Sequence, residues 1–182
     1  MINFVKKVAD CNPPRSVLYA IGVAVGVLAG FANSFLGINM SLRLSLFGWL
    51  LASIIIVIAL HEGTHSAVAA LMGHKPLFGL KPPLVYVTFV DKLPRGHFMV
   101  VAIAPFVVLN LLFGFLYARD TLKLLCNFSL IVNSIGSVAD LWIVLKLIGA
   151  PKGVLIQDTK TGFEVWVTDE TDRPGLANPK EV

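Results

Sequence analysis

Four apolar runs set the architecture. Residues 16–37 (SVLYAIGVAVGVLAGFANSFLG), 46–73, 98–118 and 122–149 are each long enough to cross a bilayer, which takes about 20 apolar residues. No water reaches backbone groups in a bilayer core, so such runs are confined to helices. Only 14% of residues are charged and 56% are hydrophobic, where a soluble domain carries about 25% charged residues. The sequence predicts an α-helical polytopic membrane protein with about four transmembrane helices. The second and fourth runs exceed the bilayer and should tilt or protrude. The first follows a basic N-terminus but lacks a small-x-small cleavage site, so it reads as a retained helix.

Lysine and arginine set the orientation. Lys6, Lys7 and Arg15 precede the first run, and Lys75, Lys81, Lys92 and Arg95 lie in the 74–97 loop. The other two loops hold Arg43 and Arg119. Four spans would put the N-terminus, the 74–97 loop and the C-terminus on one side. The expectation is a multi-pass protein of the cell membrane with both termini cytoplasmic. The 74–97 loop is β-rich: LVYVTFV at 84–90, with Tyr86 and Val87 at its centre, follows Pro82 and Pro83 and reads as an edge strand. Beyond the fourth run, VLIQD and FEVWV flank TKTG, a β-hairpin at about 154–167. The polar end should be a mobile tail. Two units are expected: a membrane core over 1–150 including the 74–97 loop, and a cytoplasmic hairpin and tail over 151–182. Gly22, Gly26 and Gly30, spaced by four, suit close helix packing, within the chain or in a homo-oligomer. Cys11 and Cys126 form neither a disulfide framework nor a CxxC pair.

The second run contains HEGTH, an HExxH motif of His61, Glu62 and His65. One helical turn separates the histidines, so both imidazoles can bind one Zn²⁺, while Glu62 can serve as general base toward a metal-bound water. Chance would give this match in roughly one such sequence in a thousand. Ionisable residues at membrane depth are costly and functional by default. Away from helix ends, the four runs hold only His61, Glu62, His65 and Asp140 as acids or histidines. Catalytic zinc takes three protein ligands and a water. Asp140 lies at the depth of His65, both about 12–14 Å from the same face at 1.5 Å per residue, and so is the candidate third ligand; alternatively it hydrogen-bonds a neighbour such as a serine. Asn133, Ser137 and Asp140 share a helix face at i, i+4, i+7. The first two either orient the carboxylate, bind a substrate carbonyl, or bond between helices.

HEGTHSAVAALMGHKP resembles the first motif of the site-2 proteases, the intramembrane zinc metalloproteases, and is closest to their small membrane zincin relatives. NSIGSVADL at 133–141 resembles part of their second motif, with Gly136 for a proline, one residue less of spacing, and Leu141 for a glycine. The resemblance covers about 55–150. It implies zinc held by His61, His65 and Asp140, Glu62 as base, Asn133 as a substrate-orienting residue, and a β-rich loop that holds the substrate.

The function expected is therefore hydrolysis of a peptide bond in or near the membrane. The partners would be the lipid bilayer and a membrane-embedded peptide or protein, paired to the 84–90 strand. A non-cleaving zinc-binding membrane adaptor is the alternative, but it has no need of Glu62. A metal transporter would need acids or histidines in the first and third runs. A haem site would need histidines approaching from opposite sides. The basic residues form no cluster suited to nucleic acid.

Overall fold

The computed structural model describes residues 5–35, 44–81, 84–119, 123–159 and 162–168. Pro82, Pro83, the surroundings of Gly30 and the polar tail from 169 lie outside what is described.

The chain opens with strand β1 (Val5–Cys11) and helix α1 (Arg15–Phe35). Helix α2 (Leu44–Leu71) carries the HExxH residues. It ends where Gly73 takes a positive φ of 84°. There the Gly73 and His74 amides return to the Ala70 and Ala69 carbonyls, both at 3.0 Å, a left-handed cap that suits glycine. Strands β2 (Pro76–Lys81) and β3 (Leu84–Phe89) form an antiparallel hairpin with Phe78 opposite Val87. A short β4 (Leu93–Pro94) leads into α3 (Arg95–Tyr117).

The fourth apolar run is not the one continuous helix expected over 122–149. It is α4 (Lys123–Gly136) and α5 (Val138–Ile148), bent by 45°. The buried Ser137 sits at the break, and its Oγ donates to the Asn133 carbonyl at 2.8 Å, a back-bond that bends helices. Strands β5 (Leu155–Thr159) and β6 (Gly162–Thr168) close the chain.

Two helices are long and apolar enough to cross a membrane: Leu50–Leu71 of α2, and α3. The α4–α5 pair would be a third. The described apolar segment Arg15–Leu28 of α1 is shorter than a span, so two or three candidate spans stand among the described residues. Ile55, Leu111 and Phe115 are each 69% exposed, an apolar surface that suits lipid rather than water.

A four-stranded antiparallel sheet in the order β1-β6-β5-β4 joins both ends of the chain. β1 falls in the basic N-terminal segment, where no strand was expected. The main core lies between this sheet and the ends of the helices, with Leu93, Phe98, Leu147, Ile156 and Phe163 buried together. A smaller cluster, Val57, Leu109 and Phe113, joins α2 to α3. Gly22 and Gly26 of α1 meet Ile135 of α4, so part of the glycine stripe packs within the chain.

Candidate metal centre

His61 and His65 share one face of α2, their ring centroids 4.9 Å apart. The bend at Ser137 brings Asp140, in the first turn of α5, against both. Asp140 Oδ2 lies 3.1 Å from His61 Nε2 and 3.7 Å from His65 Nε2. One ligand atom from each residue lies within 4.8 Å of the others, so the three could hold a metal ion. A tetrahedral zinc with bonds near 2.1 Å spaces its ligands about 3.4 Å apart, which falls between the two measured separations.

The far side of each imidazole decides which nitrogen is free. His61 Nδ1 is 3.1 Å from Asn133 Oδ1. An amide oxygen only accepts, so Nδ1 carries the proton, and the neutral ring has its lone pair on Nε2, toward Asp140. His65 Nδ1 is 2.8 Å from the Val101 carbonyl, and the same reasoning leaves its Nε2 free. That carbonyl is available for a reason written in the chain. Residue 105, four positions on, is proline, which has no amide to close the helical bond to Val101. Pro105 therefore lets α3 offer His65 an acceptor. Asn133, 1% exposed, also donates through Nδ2 to the Pro105 carbonyl at 3.2 Å and to Asn110 Oδ1 at 3.0 Å. Both ends of its amide are thus engaged within the protein.

Glu62 is not among the three residues that could hold a metal. Its Oε2 accepts the Val87 amide at 2.9 Å, placing β3 beside the HExxH turn. Val87 lines a pocket that also touches His65 and Asp140. Tyr86, one residue earlier on the strand, instead lies across Gly79 of β2, where a Cβ would overlap its ring. The remaining histidines bond one another, His74 Nε2 to His97 Nδ1 at 2.8 Å, outside the triad.

Residues 54–155 match the family described as "Putative zincin peptidase". The chain belongs to this family. The match contains His61, Glu62, His65 and Asp140, together with β2, β3 and Pro105. A relative from Pyrococcus woesei, whose name reads uncharacterized 24.7 kDa protein in gap 5' region, is 28% identical over 147 residues, or 78% of this chain. The chain spans 64% of that relative's length. No solved structure matches it.

Sequence reasoning overlooked three residues at this centre. Pro105 was visible as a proline in mid-run, and a freed carbonyl one turn earlier follows from that alone. Asp158 and Gln157 of β5 reach the site only because the hairpin folds back on β3. Gln157 Nε2 donates to the Phe89 carbonyl at 3.3 Å, and Asp158 lines the pocket.

Proposed function

We propose that this zincin peptidase family member is an intramembrane zinc metallopeptidase of the site-2 protease type. The observation that supports it most is the matched pair of imidazole tautomers. Asn133 and the Val101 carbonyl each hold an Nδ1 proton, which leaves both Nε2 atoms beside Asp140 with Glu62 uncommitted to the metal. When bound, zinc supplies Lewis acidity to a peptide carbonyl and makes a water more acidic.

The chain's own residues do the rest. Glu62 takes the proton from the attacking water and delivers it to the leaving amine. β3 supplies the substrate platform. Val87 gives its amide to Glu62 and Phe89 its carbonyl to Gln157, so neither group turns toward β2. Pro76, the partner of Phe89, has no amide to offer in any case. The edge of β3 that carries these groups adjoins the pocket beside His65 and Asp140. An extended peptide pairing with that edge would take the Val87 amide and release Glu62 for its role as base. Proteolysis needs exposed backbone, so a membrane-embedded substrate must be unwound locally, and strand pairing satisfies the groups that unwinding frees. The site lies in α2 and α5, within the candidate spans, which supports cleavage at membrane depth.

Glu62→Gln tests this reading, with zinc and cleavage of membrane peptides measured together. Zinc should stay at about one per chain and cleavage should fall by roughly 10²–10⁴-fold. Undiminished cleavage would exclude the mechanism. An adaptor would instead bind its membrane partner equally well with either residue.

A further inference from the structure

The pocket beside His65 and Asp140 is apolar on most sides, walled by Val87, Phe89, Phe98 and Ile143. One group breaks that lining besides the candidate ligands. Asp158 comes from β5, beyond residues 54–155 that match the family, and it is not among the residues that could hold the metal. Its donors are the Thr88 side chain and the Thr159 amide. A carboxylate has about four acceptor positions, so capacity remains on the side that faces the pocket.

Charge counting points the same way. Zinc with neutral His61 and His65, Asp140 and Glu62 sums to zero. Asp158 adds one negative charge to a half-open pocket with mostly apolar walls. Among the described residues, no lysine or arginine lines that pocket. Nearby cations are engaged elsewhere: Lys92 lies 4.2 Å over the Trp166 ring, and Lys7 pairs with Glu164 at 2.9 Å. Burial pushes the Asp158 carboxyl up to about 6. A buried charge is tolerated when a partner of opposite sign enters with it.

We propose that this pocket is a subsite for a cationic side chain of the peptide, with Asp158 as its counter-ion and therefore the residue that sets specificity. The proposal rests on the zinc peptidase reading, because the pocket adjoins the scissile bond only if His61, His65 and Asp140 hold the metal. Apolar walls with one carboxylate among them suit a lysine side chain, whose methylenes would meet the walls and whose ammonium would meet the acid. Segments that cross membranes end in lysine and arginine on the cytoplasmic side, so such a residue is available near one end of a span.

Zinc-binding hydroxamates test this without knowledge of the natural substrate. Three compounds differ only in side chain: lysine, norleucine and glutamate. Each is titrated at pH 7.5 into the zinc-loaded, detergent-purified protein, with zinc content measured alongside. The lysine compound should bind about tenfold tighter than the norleucine one, the scale of one hydrogen bond to a charged group. The glutamate compound should bind weakest. Asp158→Asn should bring the lysine compound to the level of norleucine, and Asp158→Glu should restore part of the preference. Equal binding of lysine and norleucine in the wild type would overturn the subsite, as would a lysine preference that survives in Asp158→Asn. So would failure of all three compounds to bind a chain that holds stoichiometric zinc. Failure to take up zinc at all would overturn the peptidase reading beneath it.

Discussion

Asn133 is worth more to the candidate centre than its neutral side chain suggests. It fixes the His61 tautomer through Oδ1 and is itself fixed through Nδ2 by the Pro105 carbonyl and Asn110. Partners of this kind typically account for 10- to 100-fold in metal affinity. Asn133→Leu should therefore weaken zinc binding by roughly 10–100-fold in a chelator competition, while the helical circular dichroism stays native. An unchanged affinity would mean that His61 is oriented by packing alone. Asp158 gives a second prediction at this scale. Its carboxyl titrates near 6 in the folded protein and at 3.8 in a free chain. A raised carboxyl favours folding when protonated, so its cost accumulates as pH climbs from about 4 to about 6 and is complete above that. In the metal-free protein, Asp158→Asn should raise the Tm by a few degrees at pH 7.5 and leave it near the wild-type value at pH 4. A gain of the same size at both pH values would point to packing instead of charge.

At the scale of elements, the fold depends on two interruptions of otherwise regular helices. Pro105 frees the Val101 carbonyl for His65, and the bend at Ser137 swings Asp140 toward α2. Pro105→Ala gives α3 a regular amide at 105. That amide competes for the Val101 carbonyl, so His65 loses its fixed tautomer even as the helix becomes more regular. Thermal stability should hold or rise while zinc affinity falls by roughly 10-fold or more. Amide exchange at residue 105 and chelator competition would report the two effects separately, and unaltered zinc affinity would refute the link. The strands were legible to different degrees. β3 announces itself through Val85, Tyr86, Val87, Thr88 and Phe89 in a row, and the β5–β6 hairpin through two β-rich segments around a short turn. β1 (VKKVADC) and β2 (PLFGLK) carry charges, a proline and a glycine, which weaken any local preference. They are strands because β6 and β3 offer them an edge.

For the whole molecule, the sheet is the organising feature. β1 from one end of the chain and β5–β6 from the other lie side by side, and their inner face packs on the C-terminal ends of α2 and α5 and the first turns of α3. Phe163 is 2% exposed, with ring centroids 6.4 Å from Phe98 and 6.2 Å from Trp142. Phe163→Ala should cost about 3–5 kcal/mol, read as a lower Tm in detergent, and should reduce zinc retention, since Phe98 lies on the α3 segment that also holds Val101. Loss of stability without any effect on the metal would show that the sheet is energetically separate from the centre. The proposed orientation has its own test: reporters fused at Val182 and in the 38–45 loop should report the cytoplasm and the opposite side, respectively. The reverse pattern would invert the membrane reading.

What the sequence by itself determined is what local rules control. Apolar length bounded the helices, and a four-residue period put His61 and His65 on one face. The high cost of ionisable groups within apolar runs singled out Asp140 as well. These depend on spacing along one chain and on transfer energies, both written in the residues. Tertiary structure decided what depends on which elements meet. It broke the fourth run at Ser137, where a bend satisfied by a side-chain bond brings a carboxylate to two imidazoles. It gave the Val101 carbonyl to His65 instead of leaving it empty behind Pro105. It also carried Asp158 from the far end of the chain into the pocket wall. Hydrogen-bond partners and pocket walls are relations between distant segments, and no local period encodes them.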